Sequence, residues 1–326
     1  MLILTGRDID RALPMNRAIE VVSEGYIAFS AGETLTPLRT PMVMPAGTTL
    51  TMPSYIATTN AGGVKIVSVF EGNRLVDLPT ITGLMVLLDG DTGVPLAIME
   101  AATLTALRTG ASGGAASDRL ARSDAQRAAV IGAGVQARSQ LKALFAVRDI
   151  TGVYVFDVDP SRSEVFIAEM ESEFPGAHFQ RVSTASQAVS VADVVLCATT
   201  SRKPVIDAND LSPGSHVTGV GSYTPEMAEI GVDVLAKAHR IIVDSREACW
   251  EEAGDFIQPF ERGEIGGDIV DAELGDILAG RAPGRTCADE ITVFKAVGLA
   301  ALDVAVATEV HQRAQDEGLG TEVELF

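Results

Sequence analysis

Gly132, Gly134 and Ala137 occupy the three small positions of a G-x-G-x-x-G/A turn, and Asp157 follows Ala137 by 20 residues. Residues of those types at that spacing bind a dinucleotide. The first glycine turns a strand sharply into a helix, the second lets the backbone approach a pyrophosphate, and the small third residue lets the helix pack on the strand. The phosphates then meet free N–H groups at the positive end of a helix dipole, so the whole loop, Ala133, Val135 and Gln136 included, is a candidate cofactor contact. An acid at the end of the second strand bonds the ribose hydroxyls and repels a 2′-phosphate. Asp157 therefore predicts NADH as the preferred cofactor, with NADPH possible because Arg162 stands nearby in DVDPSRSE.

A second kind of chemistry is suggested by charge where charge is expensive. Lys65 lies in GGVKIVSVF, a strand with apolar neighbours on both sides, and an unpaired ammonium buried there would cost several kcal/mol. It calls for an anion. Arg39, at the head of a strand, and Arg108, in TALRTGA, add positive groups in the same region of the chain, and an arginine fork suits a carboxylate. By spacing alone each of the three is equally a surface or salt-bridged residue.

These residues need elements to hold them. Residues 127–157 read as strand, glycine turn, amphipathic helix and second strand. Before them, residues 15–31 carry Ile19, Val22, Tyr26 and Phe29 at helical spacing. Short apolar or alternating runs over 39–44, 48–55, 64–70, 81–88 and 94–99 then read as strands, with a hairpin turn at Asp89-Gly90-Asp91-Thr92-Gly93. Without long helices between them they form an antiparallel sheet. Residues 100–122 read as a bridging helix with Thr103 as its N-cap. After Asp157 strands at 194–197, 216–220 and 240–243 alternate with helices near 162–173 and 184–191. Residues 288–315 read as a long helix, interrupted by Gly298, that returns to the first domain. The fold class is thus α/β: a doubly wound parallel sheet of Rossmann type over 123–299, and a discontinuous α+β antiparallel domain over 1–122 and 300–326.

The sequence of 326 residues has 44 acidic against 25 basic side chains, a formal net charge of −19, which argues against nucleic acid or an anionic membrane as partner. A small molecule is expected instead. Three widely spaced cysteines without a C-x-x-C fit a reducing cytoplasm, the four histidines show no metal-ligand spacing, and no run of 18 apolar residues occurs.

Several phrases occur together: GGVKIVSVFEGN, LLDGDTGVPLAIMEAATLTALRTGASGGAAS, AAVIGAGVQARSQLKAL, ATTSRKPVI, VGSYTPEMAEI and EITVFKAVGLAALDVAVA. Nearly end to end, the chain resembles the ornithine cyclodeaminase and mu-crystallin family. That family holds ornithine and lysine cyclodeaminases, archaeal-type alanine dehydrogenases, ketimine reductases, and mu-crystallin, a binder of thyroid hormone and NADPH. The resemblance implies a homodimer whose N-terminal sheet and last helix form the dimer and substrate domain. It makes Arg39, Lys65 and Arg108 the residues that hold a substrate carboxylate, and it places Thr199, Thr200, Val220, Gly221 and Lys295 along the cofactor or active site.

One departure from the family pattern selects among activities. Where the cyclodeaminases and archaeal alanine dehydrogenases read roughly G-[GA]-D-x-P-G-K, this chain reads Gly221-Ser222-Tyr223-Thr224-Pro225-Glu226-Met227, and Ala296 replaces a serine. A tyrosine, with an ordinary pKa of about 10, is a poor base at neutral pH. Reducing a preformed imine needs no such base. The expected reaction is reduction of Δ1-pyrroline-2-carboxylate or Δ1-piperideine-2-carboxylate to L-proline or L-pipecolate, with Lys65 and Tyr223 as catalytic candidates. The alternatives are alanine dehydrogenase or ornithine cyclodeaminase activity and, in another class, a mu-crystallin-like ligand-binding protein.

Overall fold

Apolar residues that alternate in and out build the first sheet. The computed structural model describes residues 1–325. Its chain opens with β1 (Leu2–Leu4), α1 (Gly6–Ala12) and α2 (Met15–Ser30), followed by β2 (Thr34–Leu35), β3 (Thr40–Met44), β4 (Gly47–Ile56), β5 (Ala61–Val69), β6 (Ile81–Asp89) and β7 (Pro95–Glu100). A capping box between Thr5 and Asp8 starts α1. Next comes α3 (Ala101–Leu120). It begins two residues before the predicted cap Thr103, because the Glu100 carboxylate accepts the N–H groups of Ala102 and Thr103, both at 2.7 Å.

A second sheet is built from β8 (Arg127–Ile131), α4 (Val135–Val147), β9 (Gly152–Phe156), α5 (Pro160–Glu173), β10 (His178–Arg181), α6 (Ala185–Val189), β11 (Val194–Cys197), β12 (His216–Gly219), α7 (Val232–Lys237), β13 (Arg240–Val243), α8 (Arg246–Glu252), α9 (Gly254–Glu261), β14 (Ala272–Glu273), α10 (Leu274–Leu278) and β15 (Thr292–Lys295). The chain then enters α11 (Ala300–Glu317) and β16 (Thr321–Glu322). It forms two compact units: Met1–Arg108 with the residues from Leu299 onward, and Thr109–Gly298. The first boundary falls inside α3.

In the first unit the strands run β16-β1-β7-β6-β5-β4-β2, with β3 also on β4. Every pair is antiparallel except β1 with β7, a parallel pair that the expected antiparallel sheet did not include. Residues of β5 alternate cleanly: Gly63, Lys65 and Val67 are buried while Ile66 faces out. Helix α11 covers the buried face over β4, β5 and β6. At Gly63 a methyl group would press on Val86 O at 2.8 Å and on Val304 of α11 at 3.3 Å, so only glycine lets this helix lie so close to the sheet.

The second sheet is parallel throughout, in the order β10-β9-β8-β11-β12-β15-β13-β14. Its central strands β8, β11, β12 and β15 are buried on both faces, and Val130, Val153, Val155, Val194 and Leu196 pack with Leu141 of α4 and Phe166 of α5. Residues 292–295 correct the sequence-based expectation of one long helix over 288–315. Thr292-Val293-Phe294-Lys295 is a strand between β12 and β13. A fully buried parallel strand has no period-2 signal, so its short apolar run merged with the helix that follows. The true break is Gly298, at φ +95°.

Candidate active site

In the first unit, β5, α3 and α11 bring three charged side chains together. Lys65 Nζ lies 2.7 Å from Asp303 Oδ2, and Arg108 Nε donates to Asp303 Oδ1 at 3.0 Å. Lys65 Nζ also donates to Thr105 Oγ1 at 3.3 Å. Lys65 is 1% exposed and Asp303 0%. Burial pushes the Lys65 ammonium down to about 7; Asp303 opposes that shift, while the positive fields of Arg108 and the half-buried Arg39 add to it. One buried carboxylate thus holds two cations, Lys65 and Arg108, side by side.

In the second unit, the glycine turn joins β8 to α4 at the carboxyl end of the sheet. Gly132 sits at φ +90°, and a methyl group there would meet Ala198 O at 2.7 Å and Thr199 Cγ2 at 2.8 Å. Gly134 is the N-cap of α4, and a methyl group on it would meet nothing within 4 Å. Ala137 is fully buried, whereas Val135 at the first turn is 67% exposed. Asp157 Oδ2 accepts the Ala133 N–H at 2.8 Å, and its Oδ1 accepts that of Asp159 at 2.9 Å. A loop open over its second glycine, at a helix N-terminus with an acid beside it, fits a dinucleotide.

The ends of β11 and β12 stand next to that turn. Thr199 is half-buried and Thr200 exposed, while Val220 is buried and Gly221 half-buried. Tyr223 is half-buried and Glu226 exposed in the loop after β12. Lys295, expected to line the cofactor, is instead fully buried: its Nζ lies 3.0 Å from Asp255 Oδ2 and donates to Ser222 O at 2.6 Å. With its ammonium committed to two internal partners it supports the loop rather than presenting itself to a ligand. Among the described residues no cluster of His, Cys, Asp or Glu is arranged to hold a metal.

Asp303 is absent from the residues singled out in the sequence. Its signal is one acid inside ALDVAVA, where all its helical neighbours are apolar. Thr105, Glu229 and Asp255 leave no comparable signal.

A parallel sheet whose strand order reverses beside a glycine turn, with an acid closing the neighbouring strand, defines a dinucleotide-binding protein. The model of the ornithine cyclodeaminase/mu-crystallin family matches residues 1–318, and the chain belongs to that family. It is 36% identical over 327 residues to the Δ1-pyrroline-2-carboxylate reductase of Bacillus cereus strain ZK / E33L, covering 100% of both chains. It is similar in structure to Thermococcus litoralis Δ1-pyrroline-2-carboxylate reductase in complex with NADH and L-proline, with a TM-score of 0.95, 37% identity, and coverage of 99% of this chain and 100% of the other. An archaeal alanine dehydrogenase dimer with bound NAD gives a TM-score of 0.94 at 34% identity, over 100% of this chain and 99% of that one.

Proposed function

We propose that this protein is an NADH-dependent reductase of cyclic imino acids, converting Δ1-pyrroline-2-carboxylate or its six-membered homologue to L-proline or L-pipecolate. The observation that carries the reading is the buried Lys65–Asp303–Arg108 cluster, which gathers two cationic groups of the kind that bind a carboxylate in one buried place. The relatives named as reductases of this substrate support it. NADH, when bound, supplies hydride to the C=N carbon. Arg39 and Arg108 orient the carboxylate. Lys65 binds beside them and, with its pKa lowered to about 7, holds a proton at Nζ that is transferable near neutral pH. Asp303 fixes where Nζ points. Tyr223 stands in place of the family's acid, so that position offers no carboxylate base that would favour deamination. Assays with cyclic imines, pyruvate plus ammonia, and ornithine test the reading: rapid NADH oxidation with the imines alone supports it, and proline formed from ornithine overturns it.

The preference for NADH rests on Asp157. Its carboxylate, fixed by the Ala133 N–H, puts negative charge where a 2′-phosphate would lie. Replacing it, Asp157→Ser, should shift the NADH to NADPH ratio of kcat/KM by about tenfold or more toward NADPH. An unchanged ratio would remove Asp157 from cofactor selection.

The outer face of the first sheet carries Met42 (56% exposed) on β3, Ile66 (41%) on β5 and Leu84 (50%) on β6, with Ile66 directly opposite Leu84. A solvated antiparallel face carries polar residues at such positions. This face is the surface we assign to a second copy, making a homodimer. Sedimentation should give twice the chain mass, and Leu84→Glu should give monomers; a wild-type monomer refutes the assignment. Among the described residues no helix is long and apolar enough to cross a membrane, and three free cysteines accord with a reducing cytoplasm.

A further inference from the structure

Glu229 lies ten residues past the end of β12, on neither the glycine turn nor the carboxylate-holding cluster. It is 0% exposed. One of its oxygens accepts the Thr199 N–H at 2.5 Å, and the other accepts those of Gly221 at 2.6 Å and Ser222 at 3.1 Å. Three donors converge on two oxygens, so the group acts purely as an acceptor, as a carboxylate does. Its own backbone is held in turn. Asp255 Oδ1 takes the N–H groups of Glu229 and Ile230, both at 2.7 Å, and Asp255 Oδ2 faces Lys295, whose Nζ closes the circuit on Ser222 O. Although burial disfavours its charge, Lys295 is held above the ordinary lysine range by Asp255 and Glu229.

The N–H groups gripped in this way belong to the second residue beyond β11 and the second and third beyond β12. The dinucleotide crosses the sheet where strand order reverses, between β8 and β11. Its adenosine ribose belongs at the end of β9, where Asp157 stands. The other half then lies over β11 and β12. We propose that Glu229 is a positioning residue for the nicotinamide half of the cofactor, its carboxylate locking the strand-end peptides of Thr199, Gly221 and Ser222 into one rigid platform. Gly221 completes the platform, since a side chain there would collide with the Thr199 backbone.

This inference rests on the reading of the chain as a dinucleotide enzyme, and its test uses no imine, so failure of the substrate assignment leaves it intact. NADH and ADP, which lacks the nicotinamide half, are titrated against wild type, Glu229→Gln, Glu229→Asp and the core variant Phe166→Leu. Glu229→Gln turns an N–H donor toward one of the three peptides. It should weaken NADH about tenfold while changing ADP by less than about twofold. Glu229→Asp, which keeps the charge, should fall between wild type and Glu229→Gln. Phe166→Leu should lower Tm without separating the two ligands. Equal weakening of NADH and ADP, or an unchanged NADH affinity, overturns the proposal. Failure of both Glu229 variants to fold overturns it too, because the carboxylate would then serve the fold alone.

Discussion

Lys65→Met should fold and bind NADH yet lose about a thousandfold in kcat/KM for the cyclic imine, the magnitude expected when a group that both binds and transfers a proton is removed. Folding survives because Asp303 keeps Arg108 as its partner, so no buried charge is left alone. The pH profile carries a second signature. Burial sets Lys65 near 7, so its protonated form prevails below that pH and is lost above it. If the ammonium is the working form, kcat/KM declines above about pH 7 in wild type, and that limb disappears in Lys65→Met. Retention of the limb, or a loss below tenfold, would show that Lys65 is structural.

Asp303→Asn should have the opposite character: a stability loss of about 3–5 kcal/mol, the cost of stripping the anion from a buried ion pair. Lys65 and Arg108 would then face one another with only a neutral amide between them. A thermal scan reads the loss directly. The double variant Lys65→Met with Asp303→Asn should recover part of it, because one of the two stranded cations has gone. A double variant no more stable than Asp303→Asn would mean that the pair does not share its energy.

The contrast between these two residues shows what a sequence makes legible. Lys65 stands out because a charge in an apolar strand is costly wherever the chain goes. Asp303 is 195 residues from Arg108 along the chain, and nothing local tells which buried cation it meets. The glycine turn and Asp157 are legible for a related reason: their roles depend on backbone geometry within one strand–helix–strand unit. Glu229 and Asp255 accept from loop peptides as far as 30 and 26 residues away, and carboxylates look alike until the fold assigns their donors. Of the elements, the alternating strands of the first sheet and the amphipathic helices carry periodicity. Strand β15, buried on both faces, carries none and so reads as part of a helix.

The placement of β15 and α11 also bears on the order in which the chain becomes a protein. Strand β15 fills the gap between β12 and β13, and α11 supplies Asp303 to a lysine made long before it. Neither the parallel sheet nor the sheet that holds Lys65 is complete until residues 292–322 have been synthesised. Until then the nascent chain has an open slot in the middle of one sheet and an uncompensated cation in the other. Completion of both units therefore waits on a single stretch, 292–322, which gives the ends of the two folding problems one common clock.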